Sequence, residues 1–401
     1  MRLAIRNARL VTPDGVEQGG VLVEDGVIRV LGPVDTSDAI DARGRHLAPG
    51  IVDLGVFAVD RAAARAGGIV RVAPMPDQSP VLDEPGAVQR LSLIGKPDLW
   101  IHPIAAATRR LAGQELAEMA ICRAAGARAV GTGRRWIADA DVMARVLAYA
   151  RDLDMAVIAH AEDGGLAANA VATEGETATR LGLPAAPAIA EALAVARDLM
   201  LAEETGARLH IRQVTTAAAL ELVRAAKRRG VPVTCGVTPA HLLLSDIAVS
   251  DFRTFAHLSP PLRGEADRQA TRAAVADGTI DVLCSGHDPH GPEAKRLPFA
   301  DSAAGAVGAA TLLPLALSLV RDGLLPIERM FELLATAPAR VLGLDTGTLA
   351  PGQPADLILF DPDAPWIINS DTLPGEAGNT PFDGLPVQGK VLRVWKGGRE
   401  V

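Results

Sequence analysis

Eight short apolar runs, set between stretches of helical character, constrain this chain more than any other feature. They are "GIVDLGVFAV" (50–59), "IVRVAPM" (69–75), "WIHPIAAA" (100–107), "ARAVGT" (127–132), "AVIAHA" (156–161), "RLHIRQV" (208–214), "PVTCGV" (232–237) and "IDVLCSG" (280–286). Near-continuous apolar runs of this length suit parallel strands covered on both faces. Helical stretches lie between most of them, at 113–125, 139–153, 187–204 and 216–229, and two more, 303–322 and 326–341, follow the eighth. The alternation predicts an α/β chain built on a (β/α)8 TIM-type barrel. The connection from Asp60 to Gly68 is short and barely holds a crossover helix.

The two ends read differently. Residues 1–48 alternate as short strands around Asp14-Gly15 and Asp25-Gly26, and "GTLAPGQPADLILFDP" and "GKVLRVWKGGREV" do the same near the C-terminus. We expect a small composite β-sandwich domain from 1–48 plus 345–401, and a barrel domain over 49–344. Aromatic residues are only 3% of a chain that is 49% hydrophobic, so Ala, Val and Leu must fill the core.

Net charge is −8 and no Lys/Arg block exceeds three residues, which leaves no electrostatic footprint for nucleic acid or an anionic membrane. Cys122, Cys235 and Cys284 lie far apart and read as reduced, buried thiols of a cytoplasmic protein. The N-terminus alternates as a strand and lacks an apolar signal core. The segment 303–320 is apolar enough to suggest a membrane span, but Pro314, its small residues and its place after the eighth strand assign it to a buried helix. No Gly-X-Ser-X-Gly elbow and no Walker-type phosphate loop is present.

A barrel keeps its chemistry at the carboxyl ends of its strands. There stand Gly55, Phe57 and Asp60 after the first strand, Gly131 and Gly133 after the fourth, and His160, Glu162 and Asp163 after the fifth. The sixth offers His210 and Gln213, the seventh Gly236, Thr238 and His241, the eighth Gly286, His287, Asp288 and His290. Glu162 and Asp163 read as helix N-terminal carboxylates. Arg134 and Arg135 after the fourth strand either neutralise the polar floor of a metal-free site or are surface or interface charges, and we favour the second reading.

At these positions the chain resembles the dihydroorotase branch of the amidohydrolase superfamily. "APGIVDL" matches the lead-in to the first strand, and "HAED" (160–163), "SPPLRGEAD" (259–267), "DGTID" (277–281) and "NTPFDG" (379–384) match the family pattern. "MPDQSP" resembles Met-Pro-Asn-X-X-Pro, "HIRQVTT" resembles His-Ile-Cys-His-Val-Ser-Thr, "VTPAHLLL" resembles Val-Thr-Pro-His-His-Leu, and "SGHDPH" (285–290) resembles Thr-Asp-His-Ala-Pro-His.

The resemblance implies hydrolysis of a cyclic amide by a metal-activated water, with an aspartate after strand 8 moving the proton. Position by position, the chain departs from that pattern. The strand-1 histidines correspond to Gly55 and Phe57, the bridging group after strand 4 to Gly131 or Gly133, the strand-6 ligand to Gln213, and the strand-8 aspartate to Gly286. His160 alone survives of the metal and acid–base positions, where a catalytic zinc needs three good protein ligands. The substrate-holding arginine after the strand-1 histidines is replaced by Ala58 and Val59, and the asparagine of Met-Pro-Asn is Asp77. His290 matches a residue that relatives use toward the substrate carboxylate.

These departures lead us to expect a dihydroorotase homologue of pyrimidine biosynthesis that is a pseudoenzyme, with no catalytic residue, metal or cofactor at the usual place. By resemblance, its expected role is structural or assembly-related, beside aspartate carbamoyltransferase. A homodimer is the usual assembly of the family. The alternative is a diverged, active zinc-dependent cyclic amidohydrolase whose metal is held by His160, His287 and Asp288, with His290 nearby. A third reading is a binding module that senses a pyrimidine precursor in the remaining pocket.

Overall fold

The structure, a computed structural model, describes residues 2–401. The N-terminal strands are β1 (Arg2–Thr12), β2 (Gly15–Glu24), β3 (Val27–Gly32), β4 (Ile40–Asp41) and β5 (His46–Pro49). The middle supplies β6 (Ile51–Val56), β7 (Ile69–Pro74), β8 (Trp100–Ile101), β9 (Ile104–Ala106), β10 (Ala129–Gly131), β11 (Ala156–Ala159), β12 (Ala172–Thr173), β13 (Ala185–Ala186), β14 (Leu209–Ile211), β15 (Val233–Val237) and β16 (Val282–Leu283). The C-terminal strands are β17 (Leu357–Ile367), β18 (Pro386–Lys396) and β19 (Arg399–Glu400).

Both termini join in one mixed sheet, in the order β19-β18-β17-β5-β1-β2-β3 with β4 beside β1. Where two facing sheets were expected, hydrogen bonding runs through a single eight-stranded sheet, because β5 and β17 pair antiparallel and stitch the two ends together. One face buries Ile5, Leu10, Val21, Ile28, Leu357 and Trp395 in a core of its own.

The middle strands are parallel and form two arcs, β6-β7-β8 and β9-β10-β11-β14-β15-β16. The run 100–107 is split between the arcs at His102-Pro103, since Pro103 has no N–H to donate to a ladder. The other seam, between β16 and β6, has no ladder among the described residues. It is bridged by the Phe57 N–H to the His287 carbonyl at 2.9 Å, and by the buried Asp53 carboxylate, which accepts from the Ser285 N–H at 2.8 Å and from the Ser285 hydroxyl. The arrangement is an α/β architecture consistent with the expected barrel.

Helices on the outside follow from their caps and apolar faces. Asp139 accepts from the N–H groups of Asp141 and Val142 at the start of Ala140–Asp152, and the Thr216 hydroxyl caps Ala217–Arg228. The Asp60–Gly68 connection does hold a helix, Arg61–Ala66, capped by the Asp60 carboxylate on the Ala63 N–H. The expected helix at 113–125 shortens to Met119–Ala124. The apolar segment after strand 8 becomes a 3-10 turn, Ala309–Thr311, and a buried helix, Leu312–Arg321. Pro314 is tolerated there because it lies in the first turn, whose N–H groups have no intrahelical acceptor. Among the described residues no helix is long and apolar enough to cross a membrane. All three cysteines are buried; burial pushes the Cys122 thiol up to about 11 and Cys284 up to about 12, and raises Cys235 as well.

One ion pair ties the terminal sheet to the first arc. Arg71 on β7 donates to Asp356, just before β17, at 2.5 Å. The other Asp356 oxygen accepts from the Trp100 indole at 3.2 Å and the Gly397 N–H at 2.8 Å. Both partners are buried, so removing one strands the other. Asp356→Ala is expected to cost about 3–5 kcal/mol. The double variant Arg71→Met/Asp356→Leu is expected to cost less than the single one, as read from chemical denaturation of the three proteins.

Candidate functional site

The carboxyl ends of the arcs surround a cavity of about 50 Å³, lined among others by Phe57, Arg134, Arg212, Gln213, Gly286 and Asp288. Phe57 follows β6 directly, and its backbone is clamped by the His287 carbonyl and by the Gln78 side chain, which donates to the Phe57 carbonyl at 3.1 Å. Its ring carries two guanidinium groups. That of Arg134 lies 3.6 Å from the ring centroid and that of Arg212 lies 5.0 Å away.

Arg134 leaves the loop after β10. Its N–H donates to Asp77 at 3.0 Å and its guanidinium grips both Asp288 oxygens, at 2.6 and 2.9 Å. This corrects its reading as a surface charge: it is the buried carboxylate's counter-ion. Burial raises the Asp288 pKa, but hydrogen bonds from His290 and Arg134 outweigh that and hold it below the ordinary value. The exchange of asparagine for Asp77 also finds a partner, since Asp77 anchors the Arg134 backbone. Gly133 has φ +76°, and a Cβ there would stand 2.8 Å from an Asp77 oxygen, so glycine is needed for that approach.

Arg212 follows β14, where its N–H donates to the Ala159 carbonyl at 2.9 Å. Its side chain is 2% exposed and runs beneath Gly55. Gly55 has φ +88°, and a Cβ on it would stand 3.3 Å from Arg212 Cδ. Glycine at that strand-1 position thus leaves room for the arginine stem. Among the described residues no carboxylate stands at ion-pair distance from Arg212, its Nε has no partner, and its one hydrogen-bond contact is the long 3.5 Å approach of Nη2 to His160 Nδ1. Burial lowers its pKa.

The surviving histidines are scattered in role. His160 is pushed down to about 3 by burial and then by Arg212, Arg263 and Arg134, which fixes it neutral; its Nε2 stands 3.8 Å from Glu162. His287 Nδ1 accepts from the Gly308 and Ala309 N–H groups at 3.3 and 3.4 Å, and its Nε2 faces Asp60 at 3.7 Å. His290 Nε2 is shared between the Ala304 carbonyl at 3.0 Å and Asp288 at 3.3 Å. The loop carrying these groups is tied to the C-terminal tail by Asn379, which accepts from the His290 N–H and donates to the Asp288 and Gly305 carbonyls. His210 and His241 are buried in the wall against Thr234 and Thr238.

The resemblance implies a metal here, and the donor set does not fit one. Asp288 is engaged by Arg134, His287 faces Asp60, and His160 faces Arg212 and Glu162. Among the described residues no three His, Cys, Asp or Glu side chains stand together to hold an ion. The alternative metal set of His160, His287 and Asp288 is therefore not brought together. At about 5 Å and an effective dielectric of about 20, a single guanidinium repels a divalent cation by roughly 7 kcal/mol, and Arg212 has no ion-paired carboxylate to cancel that.

Two features are not foreseen in the sequence, the Glu162–Arg263–Glu191 network and Arg212. Glu162 is no helix cap: with Glu191 it forms a buried pair to Arg263, at 3.0 and 3.2 Å, and Glu191 also accepts the N–H groups of Thr215 and Thr216 at 2.8 Å. Asp163 does cap a turn, accepting from Gly165 and Leu166. Arg212 carried the one available signal: a charged residue closing an apolar strand, at the cysteine place of His-Ile-Cys-His.

A profile of the "Amidohydrolase family" matches residues 101–401. A dihydroorotase of Pelobacter propionicus is 38% identical over 421 aligned residues, covering 100% of this chain and 99% of the relative. One of Pelotomaculum thermopropionicum is 40% identical over 422 residues, covering 100% and 98%. Among solved structures, the L-hydantoinase (dihydropyrimidinase) from Arthrobacter aurescens superposes with a TM-score of 0.88 at 24% identity, over 100% of this chain and 95% of that one. The dihydropyrimidinase from Brevibacillus agri NCHU1002 gives 0.84 at 23%, over 100% and 95%. These structural likenesses speak for the fold alone, while the full-length identity to dihydroorotases speaks for descent. The chain belongs to the amidohydrolase family, as a homologue of dihydroorotases.

Proposed function

We propose that this dihydroorotase homologue serves pyrimidine biosynthesis without hydrolysing the cyclic amide itself, as a structural partner of aspartate carbamoyltransferase. The observation that carries the reading is the pair of guanidinium groups on Phe57. They put positive charge where a metal-activated water would have to form, and Arg134 occupies the carboxylate best placed to serve as ligand or base. A hydrolase site needs a polarising cation and a free acid–base group, and this pocket offers neither.

A surface feature supports the assembly role. Helix Ile189–Thr205 buries one side and turns Ile189, Leu193, Ala196 and Met200 outward in a stripe at helical spacing, with Met200 69% exposed. Aligned apolar residues of this kind suit a protein partner better than water.

Protein purified without chelator is expected to contain well under one zinc per chain and to show no dihydroorotate turnover with added zinc. Stoichiometric zinc by mass spectrometry, with turnover abolished in His160→Ala, would overturn this reading in favour of a diverged zinc amidohydrolase. Mixed with aspartate carbamoyltransferase from the same organism, the chain is expected to co-elute in size exclusion. Leu193→Asp/Met200→Glu is expected to weaken that complex at least about tenfold without changing the thermal midpoint of the free chain. Two separate peaks at micromolar concentration would sink the assembly role.

A further inference from the structure

Resting on the reading that no metal occupies the pocket, we infer that the cavity is an anion site, in which the Arg212 guanidinium holds a small planar oxyanion of the carboxylate or hydrogencarbonate class. A buried charge without a counter-ion is costly, and proteins supply one from a side chain or from solution. Arg212 is 2% exposed and lines the cavity with its Nε unpartnered. The carboxylates of Asp77 and Asp288 both favour the Arg212 charge, but neither is at ion-pair distance from it. Both oxygens of Asp288 bind Arg134, while Asp77 accepts from the Arg134 N–H through Oδ1 and leaves Oδ2 unpartnered.

The rest of the lining favours an acceptor-rich guest. Gln213 offers an amide with its carbonyl side unpartnered, so the group is free to turn its NH2 inward. Two of the neighbouring hydroxyls are committed: Ser285 donates to Asp53, and Thr238 is bonded to His241 Nδ1, whose Nε2 donates to the Pro260 carbonyl. A volume of about 50 Å³ holds a few waters or one ion the size of acetate. It does not hold a ring-sized substrate. A planar fork such as guanidinium matches a carboxylate by two parallel hydrogen bonds.

The test is thermal denaturation in a bulky sulfonate buffer, titrated at constant ionic strength with sodium acetate, sodium hydrogencarbonate or sodium phosphate. Wild type is expected to gain stability saturably with acetate or hydrogencarbonate, as linkage requires for a ligand of the folded state. Acetate alone and hydrogencarbonate alone would each support the site and tell the two sources apart. Arg212→Met is expected to fold and to lose the response. Arg212→Lys keeps the charge without the fork and is expected to need about tenfold more anion, which keeps the test open if the methionine variant does not fold. A response to phosphate only, none at all, or one unchanged in Arg212→Lys and Arg212→Met would overturn the inference. EDTA-treated protein is expected to respond equally. Loss of the response on chelation would mean that the anion sits on a metal, ending this inference together with the metal-free reading. A metal-free protein that ignores the anions ends this inference alone.

Discussion

The stacking of Arg134 and Arg212 on the Phe57 ring is the interaction on which this end of the molecule depends. Removing metal ligands one at a time from a polar site would leave buried imidazoles and carboxylates facing each other without compensation, at a cost of several kcal/mol for each unpaired charge. Here the residues at these positions fit one another. Phenylalanine in place of a histidine gives the guanidinium groups an aromatic face, glycine at 55 makes room for the Arg212 stem, and Asp77 and Asp288 hold Arg134 from backbone and side chain. Positive charge at the centre of this end is supplied by the two guanidinium groups.

The burial of that charge orders the surrounding histidines. His160 lies beside Arg212 and is held neutral far below its usual range. His290 stays in reach of a carboxylate that Arg134 already occupies. The same chemistry separates this pocket from the Glu162–Arg263–Glu191 network nearby, where two carboxylates and two threonine hydroxyls satisfy one guanidinium. Arg263 is a structural pin because its donors are used. Arg212 differs only in lacking that company, and the difference is what opens it to a guest.

Much of this was legible beforehand, for a physical reason. Strand period and apolar content are local properties, so the eight runs and most helices could be read from the chain, as could the vacancies at Gly55, Phe57, Gln213 and Gly286. The pairing of distant groups is not local. Nothing in the chain near Arg134 says that Asp288 will meet it, 154 positions later, so the sequence leaves it open between a surface charge and a neutraliser of the site's polar floor. Glu162 was misread alike, because its partner Arg263 lies 101 positions away. The single sheet formed by both ends hangs on the antiparallel pairing of β5 with β17, another long-range match that alternation alone cannot announce.

The two arcs have no ladder between β16 and β6 among the described residues, so that seam must be held by other means. In this chain the seam between β16 and β6 is closed by Asp53, which lies on β6 two residues before Gly55, and by the backbone of Phe57 itself. Burial raises the Asp53 pKa, and the two hydrogen bonds from Ser285 oppose that. Both closures use atoms that the exchange of side chains at 55 and 57 does not touch. The stretch "DLGVF" therefore carries two separable properties, a backbone and carboxylate that join the arcs, and positions 55 and 57 that face the arginines. The side chains at 55 and 57 can change around arginine while the architecture stays in place, because the joining atoms do not depend on them.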